Sequence, residues 1–293
     1  MNELMKQMAQ VNRRLARLET HEHLANVLYS GPSGSQIALG LTPFQFAMET
    51  AGPLMFLMTT PMLEVAWDSF TIASKWTTVG ISAANARQAG SPLGSYYTFD
   101  GATEYLYASA GNHYHMHGTH NNVLVVIGRA SSASAADGHF CTKYDEGSGL
   151  REFFMMYDDS EGQLAWYVGD DNTYDANQTV NSTNYTDDKW FLAVCTCKAG
   201  AKNKMAVWCE GTTVDSMAFI EAANVNAVIH NGTAALLGIG ARDQVAGFTG
   251  FLNGDIALVF HKRILNTETV WWDDIDQIKS LVWQVMPHFC TVT

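Results

Sequence analysis

The stretch that decides the fold runs Leu236-Leu-Gly-Ile-Gly-Ala-Arg242, then Gly250-Phe-Leu-Asn-Gly-Asp-Ile-Ala-Leu-Val259, then Lys262-Arg-Ile-Leu-Asn-Thr267. Two glycines bracket Ile239, which reads as a short strand with a tight ending. Asn253-Gly254 is a turn signal, and the apolar run from Gly254 to His261 reads as a strand. Thr267-Glu-Thr then opens a segment in which Val270, Ile275, Ile278 and Leu281 recur at helical spacing, so a C-terminal helix is predicted over 267–282. Gly238-Ile-Gly240 does not continue into a dinucleotide fingerprint, because Asp243 occupies the third glycine position.

Outward from this stretch the chain stays β from Ser95 onward. Strands are predicted at Tyr96 to Phe99, Val123 to Arg129, Arg151 to Tyr157, Gln163 to Val168, Trp190 to Cys197, Lys204 to Cys209 and Ala235 to Ile239. Asp-Gly, Glu-Gly, Gly-Asp-Asp-Asn and Asn-Gly turns separate them. Short strands punctuated this way, without a long helical period, build a sandwich.

The order of these pieces resembles the laminin-G-like branch of the concanavalin-A-like jelly rolls. Phe99-Asp100-Gly101 before Glu104-Tyr105-Leu106 is similar to that family's first strand and turn. Trp190 resembles the Trp that opens a middle strand and plugs the core, and Val207-Trp-Cys-Glu210-Gly211 its hairpin partner. Gly238-Ile-Gly240, Gly254-Asp-Ile256 and Lys262-Arg-Ile-Leu265 complete the pattern in order. The resemblance implies a mainly β protein, an antiparallel jelly-roll sandwich whose surface binds glycans or proteins and only in some branches does chemistry.

Four segments are expected: an oligomerisation helix over 1–30, an apolar extended arm over 31–92, the jelly roll with its C-terminal helix over 93–283, and a tail over 284–293. Leu4, Met8, Val11, Leu15 and Leu18 recur at 4-3-4-3 spacing among polar residues, a short helix or coiled coil too brief to associate unaided. In the arm, Pro43, Pro53 and Pro61 interrupt runs rich in Phe and Met, which fill irregular grooves well. Such an arm packs on a neighbouring subunit or on its own jelly roll. The plan of oligomerising end, docking arm and lectin-like sandwich resembles bacteriophage virion proteins: head fibres, capsid decoration proteins, tail-fibre components. That resemblance implies a homo-oligomer, with a trimer favoured, that contacts the capsid or other virion proteins and is assembled in the host cytoplasm. A purely structural cement protein, or a carbohydrate-binding module or glycan-active enzyme, is the alternative.

Composition excludes several classes. A net charge of −12 opposes nucleic-acid binding, and eleven Asp and Glu against two basic residues between Lys143 and Asp188 hold most of that excess. No secretory signal is visible, and the apolar stretch from Ala51 to Thr60 is too short to insert in a membrane. Five cysteines at irregular spacing, with no CxxC, read as free buried thiols.

Glucan hydrolases of related jelly rolls need two carboxylates about 5 Å apart on one strand face. The chain has no Glu-x-Asp-x-Glu triplet, no Gly-x-Ser-x-Gly elbow, no P-loop and no His-Glu-x-x-His, so it is expected to have no enzymatic activity. His113, His115 and His117 share one face of any extended segment and form a candidate transition-metal site, or else a polar loop. Rings and polar groups for a sugar come from Tyr157, Asp158, Asp159, Trp166, Tyr167, Asp170, Asp171, Asn172, Tyr174, Asn184 and Tyr185, whose carboxylates are also candidate Ca²⁺ ligands. Alternatively, these Asp and Asn form turns, and Trp166 or Tyr167 faces the core.

Overall fold

The structure is a computed structural model describing residues 54–58, 67–68, 77–81, 85–87, 92, 96–108, 120–134, 136–145, 149–169, 179–225, 235–244, 247–265, 271–286 and 289. The described residues all belong to one compact unit within Gly52–Thr293. Leu4, Met8, Val11, Leu15 and Leu18, and with them the oligomerisation helix, lie outside the described residues.

Two antiparallel sheets face each other, as the jelly-roll reading expects. The larger runs β14 (Phe219–Val225), β13 (Lys202–Cys209), β12 (Phe191–Cys197), β7 (His120–Ala130), β18 (Asn253–Leu265), β1 (Leu54–Met58) and β2 (Trp67–Asp68). Beside β18 it also takes in β5 (Tyr96–Asp100) and β4 (Ala86–Arg87). The smaller runs β11 (Val180–Ser182), β10 (Gln163–Val168), β9 (Leu150–Asp158), β8 (Gly138–Asp145), β15 (Leu237–Ile239), β6 (Tyr105–Ala108) and β3 (Thr77–Val79). A separate hairpin, β16 (Arg242–Gln244) with β17 (Gly247–Thr249), follows β15. Four short strands, β1 to β4, thus lie within the stretch read as an arm and pair with strands of the sandwich.

Between the sheets, Leu124, Val126, Phe153, Trp166, Phe191, Ala193, Met205, Val207, Ile239 and Val259 form one buried core. The alternate residues of the larger sheet are buried as well: Val125, Ile127, Leu192, Val194 and Trp208 are all inaccessible. A 3-10 turn at Trp271–Asp273 and helix α1 (Ile275–Val285), with Ile278, Leu281 and Val282 buried, pack on that side against β12 and β13. A strand covered on both faces loses its polar alternation. That is why β7 and β12 read as continuous apolar runs. The Asp274 side chain caps α1 by accepting from Asp276 N at 2.9 Å.

The glycine signature has steric causes. Gly240 has φ +81°, and a Cβ there would sit 2.5 Å from the Phe99 ring. A Cβ at Gly254 would come 2.3 Å from the Arg129 carbonyl, so the β18–β7 approach requires its absence. In the Phe99-Asp100-Gly101 turn, the Asp100 carboxylate accepts from the amides of Ala102, Thr103 and Glu104 at 2.8, 2.8 and 3.1 Å. Burial opposes that charge, but the hydrogen bonds outweigh it and hold Asp100 below the ordinary carboxylate range.

Two expectations change. Trp190 is buried, yet it sits outside the intersheet core, edge-on to Tyr96 at 5.4 Å and under the Arg129 guanidinium at 5.1 Å. Trp166, wholly buried with Nε1 donating to Thr196 O at 3.3 Å, plugs the interior instead. Strand β8 was not predicted, because His139, Thr142 and Lys143 break its apolar pattern although all three are buried. Cys141, Cys195, Cys197 and Cys209 are free and buried as expected, and burial raises all four thiols. Cys290 lies outside the described residues.

Candidate functional site

The described members of the predicted sugar-binding set lie on or beside β9, β10 and β11. Tyr157 and Asp158 end β9, and Asn184 and Tyr185 follow β11 at that same end of the sandwich. Asp170, Asp171, Asn172 and Tyr174 lie outside the described residues, as do His113, His115 and His117. Among the described residues, no group of three or more His, Cys, Asp or Glu is placed to hold a metal ion.

The rings among those residues are structural. Trp166 and Tyr167 are wholly buried, the first in the core and the second on the far side of β10. Tyr157 is 3% exposed and meets Tyr185 edge-on at 5.7 Å. The Tyr185 hydroxyl accepts from Ala130 N at 2.8 Å and donates to Ala130 O at 3.0 Å, pinning the loop to β7. Burial raises both phenols well above their ordinary value, with Asp187 adding to Tyr157. Asp158 accepts from Ser160 Oγ at 2.7 Å and Glu161 N at 3.3 Å, so it is a turn former. The Asp159 amide donates to Asp137 Oδ1 at 3.1 Å, and the Asn184 amide to Ser182 Oγ at 3.2 Å. None of these four rings offers a face to a ligand.

A different set of rings is turned outward. Two of the four sheet faces meet in the core, and a third lies under α1. The fourth is the outer side of the smaller sheet. Pairing register sets Tyr107, Gly238, Thr142, Phe154 and Tyr167 in one row across it. Along β6, burial alternates: Leu106 and Ala108 enter the core, while Tyr105 and Tyr107 are half-buried on the outside.

Gly238 leaves room in that row for Phe248 from β17, since a Cβ there would meet the Phe248 ring at 3.2 Å. Tyr105 and Phe248 stack with ring centroids 4.2 Å apart; Tyr107 lies 5.5 Å from Phe248, and Phe251 5.8 Å from Tyr105. All four rings are half-buried and contiguous. One hydrogen-bonding group borders them: Asp243, raised by burial, accepts from Leu236 N at 3.2 Å. Burial, with Tyr107 and Asp243 nearby, raises the Tyr105 phenol, so it stays a neutral donor.

Sequence reasoning missed this group for a definable reason. Tyr105 and Tyr107 were visible as an alternating pair, but Phe248 joins them only through the hairpin. The signal within reach was the Gly247-Phe248-Thr249-Gly250-Phe251 run, with two rings among turn residues.

No family model and no curated protein matches the chain. Among solved structures, a mutant of Trypanosoma rangeli sialidase displaying trans-sialidase activity matches with a TM-score of 0.50 and 15% identity, over 99% of this chain and 40% of that one. A structure designated HCR/D-Sa-GBL1/C matches with a TM-score of 0.51 and 8% identity, over 80% of this chain and 52% of that one. The binding domain of botulinum neurotoxin DC, in complex with SialylT, matches with a TM-score of 0.48 and 11% identity, over 80% and 51%. The chain spans about a third to a half of the length of the solved proteins it matches. The expectation of a protein without enzymatic activity is overturned by the first of these: nearly the whole chain aligns with part of a trans-sialidase, so the fold gives no ground for excluding chemistry. At these identities the likeness is one of fold: this chain is an antiparallel β sandwich similar to those in the sialidase and in HCR/D-Sa-GBL1/C.

Proposed function

We propose that the β unit is a carbohydrate-binding module whose sugar stacks on Tyr105, Tyr107, Phe248 and Phe251. The observation that carries this reading is the contiguity of four half-buried rings on the outer face of the smaller sheet, which among the described residues neither the core nor α1 covers. Rings of this kind offer apolar area to the C–H face of a sugar, while Asp243 at the border accepts from hydroxyls. The similarity in fold to a sialidase, a protein named for acting on sugars, agrees with it. A glycan array probed with the full chain is expected to give discrete positives. Tyr107→Ala and Phe248→Ala are each expected to weaken the best of them at least tenfold, about 1.4 kcal/mol. A blank array, or unchanged affinity in both folded variants, overturns the reading.

The finer reading sets this module in an oligomeric phage virion protein, as a head fibre, capsid decoration or tail-fibre component. Its support is the spacing of Leu4, Met8, Val11, Leu15 and Leu18. Several weak sites on one particle would then act together. Sedimentation of the full chain should give a trimer, and deletion of residues 1–35 a monomer; a monomeric full chain removes the assembly reading and leaves the sugar site standing.

A further inference from the structure

The ring face is assembled from two parts of different origin. Tyr105 and Tyr107 belong to β6, within the smaller sheet. Phe248 and Phe251 belong to the β16–β17 hairpin and the loop after it, and that hairpin pairs with neither large sheet. Contiguity of the four rings therefore depends on what holds this loop against the sheet. The hairpin ladder reaches Thr249, which pairs with Arg242. On the far side Leu252 is wholly buried in the core, and its amide donates to Gly240 O at 2.8 Å. Gly250 and Phe251 lie between these two anchors.

His139, the second residue of β8, holds that interval. Its backbone amide donates to the Gly250 carbonyl at 3.2 Å, and Nδ1 of its ring lies 3.0 Å from the same oxygen. A carbonyl only accepts, so Nδ1 carries the proton, and the two bonds fill both lone pairs of one oxygen. Two donors from one residue fix the rotation of this peptide as well as its distance. Gly250 has φ +59°, and a Cβ there would come 2.5 Å from Nδ1 and 2.7 Å from Cε1, so the imidazole lies flush against the glycine.

The other nitrogen supplies an independent observation. His139 is 2% exposed and edge-on to Phe154 at 5.9 Å, and among the described residues Nε2 has no hydrogen-bond partner. Burial, then the charge of Arg242, lowers its pKa to about 3, so the ring is neutral at ordinary pH and Nε2 is an open acceptor. A buried acceptor left open costs free energy that an apolar side chain would not. The imidazole is thus a poor filler of this space, and what it contributes is the bond to Gly250.

We infer that His139 is a positioning residue of the ring face: by clamping Gly250 it keeps Phe248 and Phe251 beside Tyr105 and so sets the affinity for the sugar, a role that rests on the ring face being the sugar site. The imidazole, buried beneath the loop, touches no ligand itself. It acts through the loop, which places Phe248 4.2 Å and Phe251 5.8 Å from Tyr105.

Hydrogen exchange of the full chain reads the clamp without any ligand. His139→Ala should speed exchange of the 247–252 segment about tenfold, the worth of one hydrogen bond, and leave β12 and β13 unchanged. His139→Asn, whose amide N–H can stand where Nδ1 stood, should restore the slow rate. On the best glycan of the array, His139→Ala should weaken binding about tenfold and His139→Asn should recover it. In a Phe251→Ala background the loss from His139→Ala should shrink, because a ring that it positions is gone; a general loss of stability would instead add in full. Unchanged exchange in folded His139→Ala, or no recovery in His139→Asn, overturns the clamp. Faster exchange with undiminished glycan affinity overturns the positioning role and leaves the sugar site standing. A blank array for the wild type overturns both, through a measurement in which His139 is unaltered.

Discussion

Removing Lys143 alone should destabilise the sandwich severely, whereas removing Lys143 and Glu152 together should not. Both side chains are wholly buried, with Nζ 3.2 Å from Glu152 Oε2 and 3.0 Å from the Ala235 carbonyl. Lys143→Met leaves the Glu152 carboxylate in the interior without its counter-charge, which costs about 3–5 kcal/mol. At 2–4 °C per kcal/mol for a unit of this size, Tm falls by roughly 6–20 °C. The double variant Lys143→Met/Glu152→Leu removes both charges, and replacements of this type range from neutral to about 1–4 kcal/mol stabilising. Urea denaturation of the wild type, both single variants and the double closes a cycle whose coupling energy should be several kcal/mol.

The pH dependence gives a second reading of the same pair. Burial outweighs the attraction of Glu152 and Asp243 and pulls the Lys143 ammonium below its ordinary 10.5. Between the folded and unfolded values the unfolded chain therefore binds more protons, so this group makes stability rise with pH up to about 10.5. Lys143→Met should abolish that alkaline rise. A cost under about 1 kcal/mol for Lys143→Met, the size seen for exposed pairs, would refute the buried placement.

Two further substitutions separate structural residues from binding ones. Gly240→Ala forces a Cβ into the left-handed region against the Phe99 ring, which should cost about 1–2 kcal/mol for the backbone and roughly 1–3 kcal/mol for overpacking, read as a lower urea midpoint; an unchanged midpoint contradicts the close approach. Tyr185→Phe takes the acceptor from the Ala130 amide, while the Ala130 carbonyl keeps the Asp188 amide at 2.9 Å, and should cost about 1–3 kcal/mol, with glycan affinity unchanged. Lost sugar binding in a folded Tyr185→Phe would restore Tyr185 to the ligand surface.

Much of the fold was legible because its determinants are local. Asn253-Gly254, Phe99-Asp100-Gly101 and Gly238-Ile-Gly240 announce turns and close approaches through backbone sterics that act within a few residues. The C-terminal helix and the free thiols were readable from spacing and composition alone. The site was not. Whether a Tyr faces ligand or core depends on strand parity and on what covers the outer side, and only pairing across the sheets decides those. Tyr157 and Trp166 went inward, while Tyr105 and Tyr107 stayed outside. Lys143 and Glu152, nine positions apart in sequence, meet where the β8–β9 register shifts and brings Glu152 inward. His139 and Gly250, 111 positions apart, meet because β8 begins beside the loop that follows β17. A sequence carries the short-range rules that place its strands; the contacts that build a site join residues far apart along it, and they exist only once the sheets have paired.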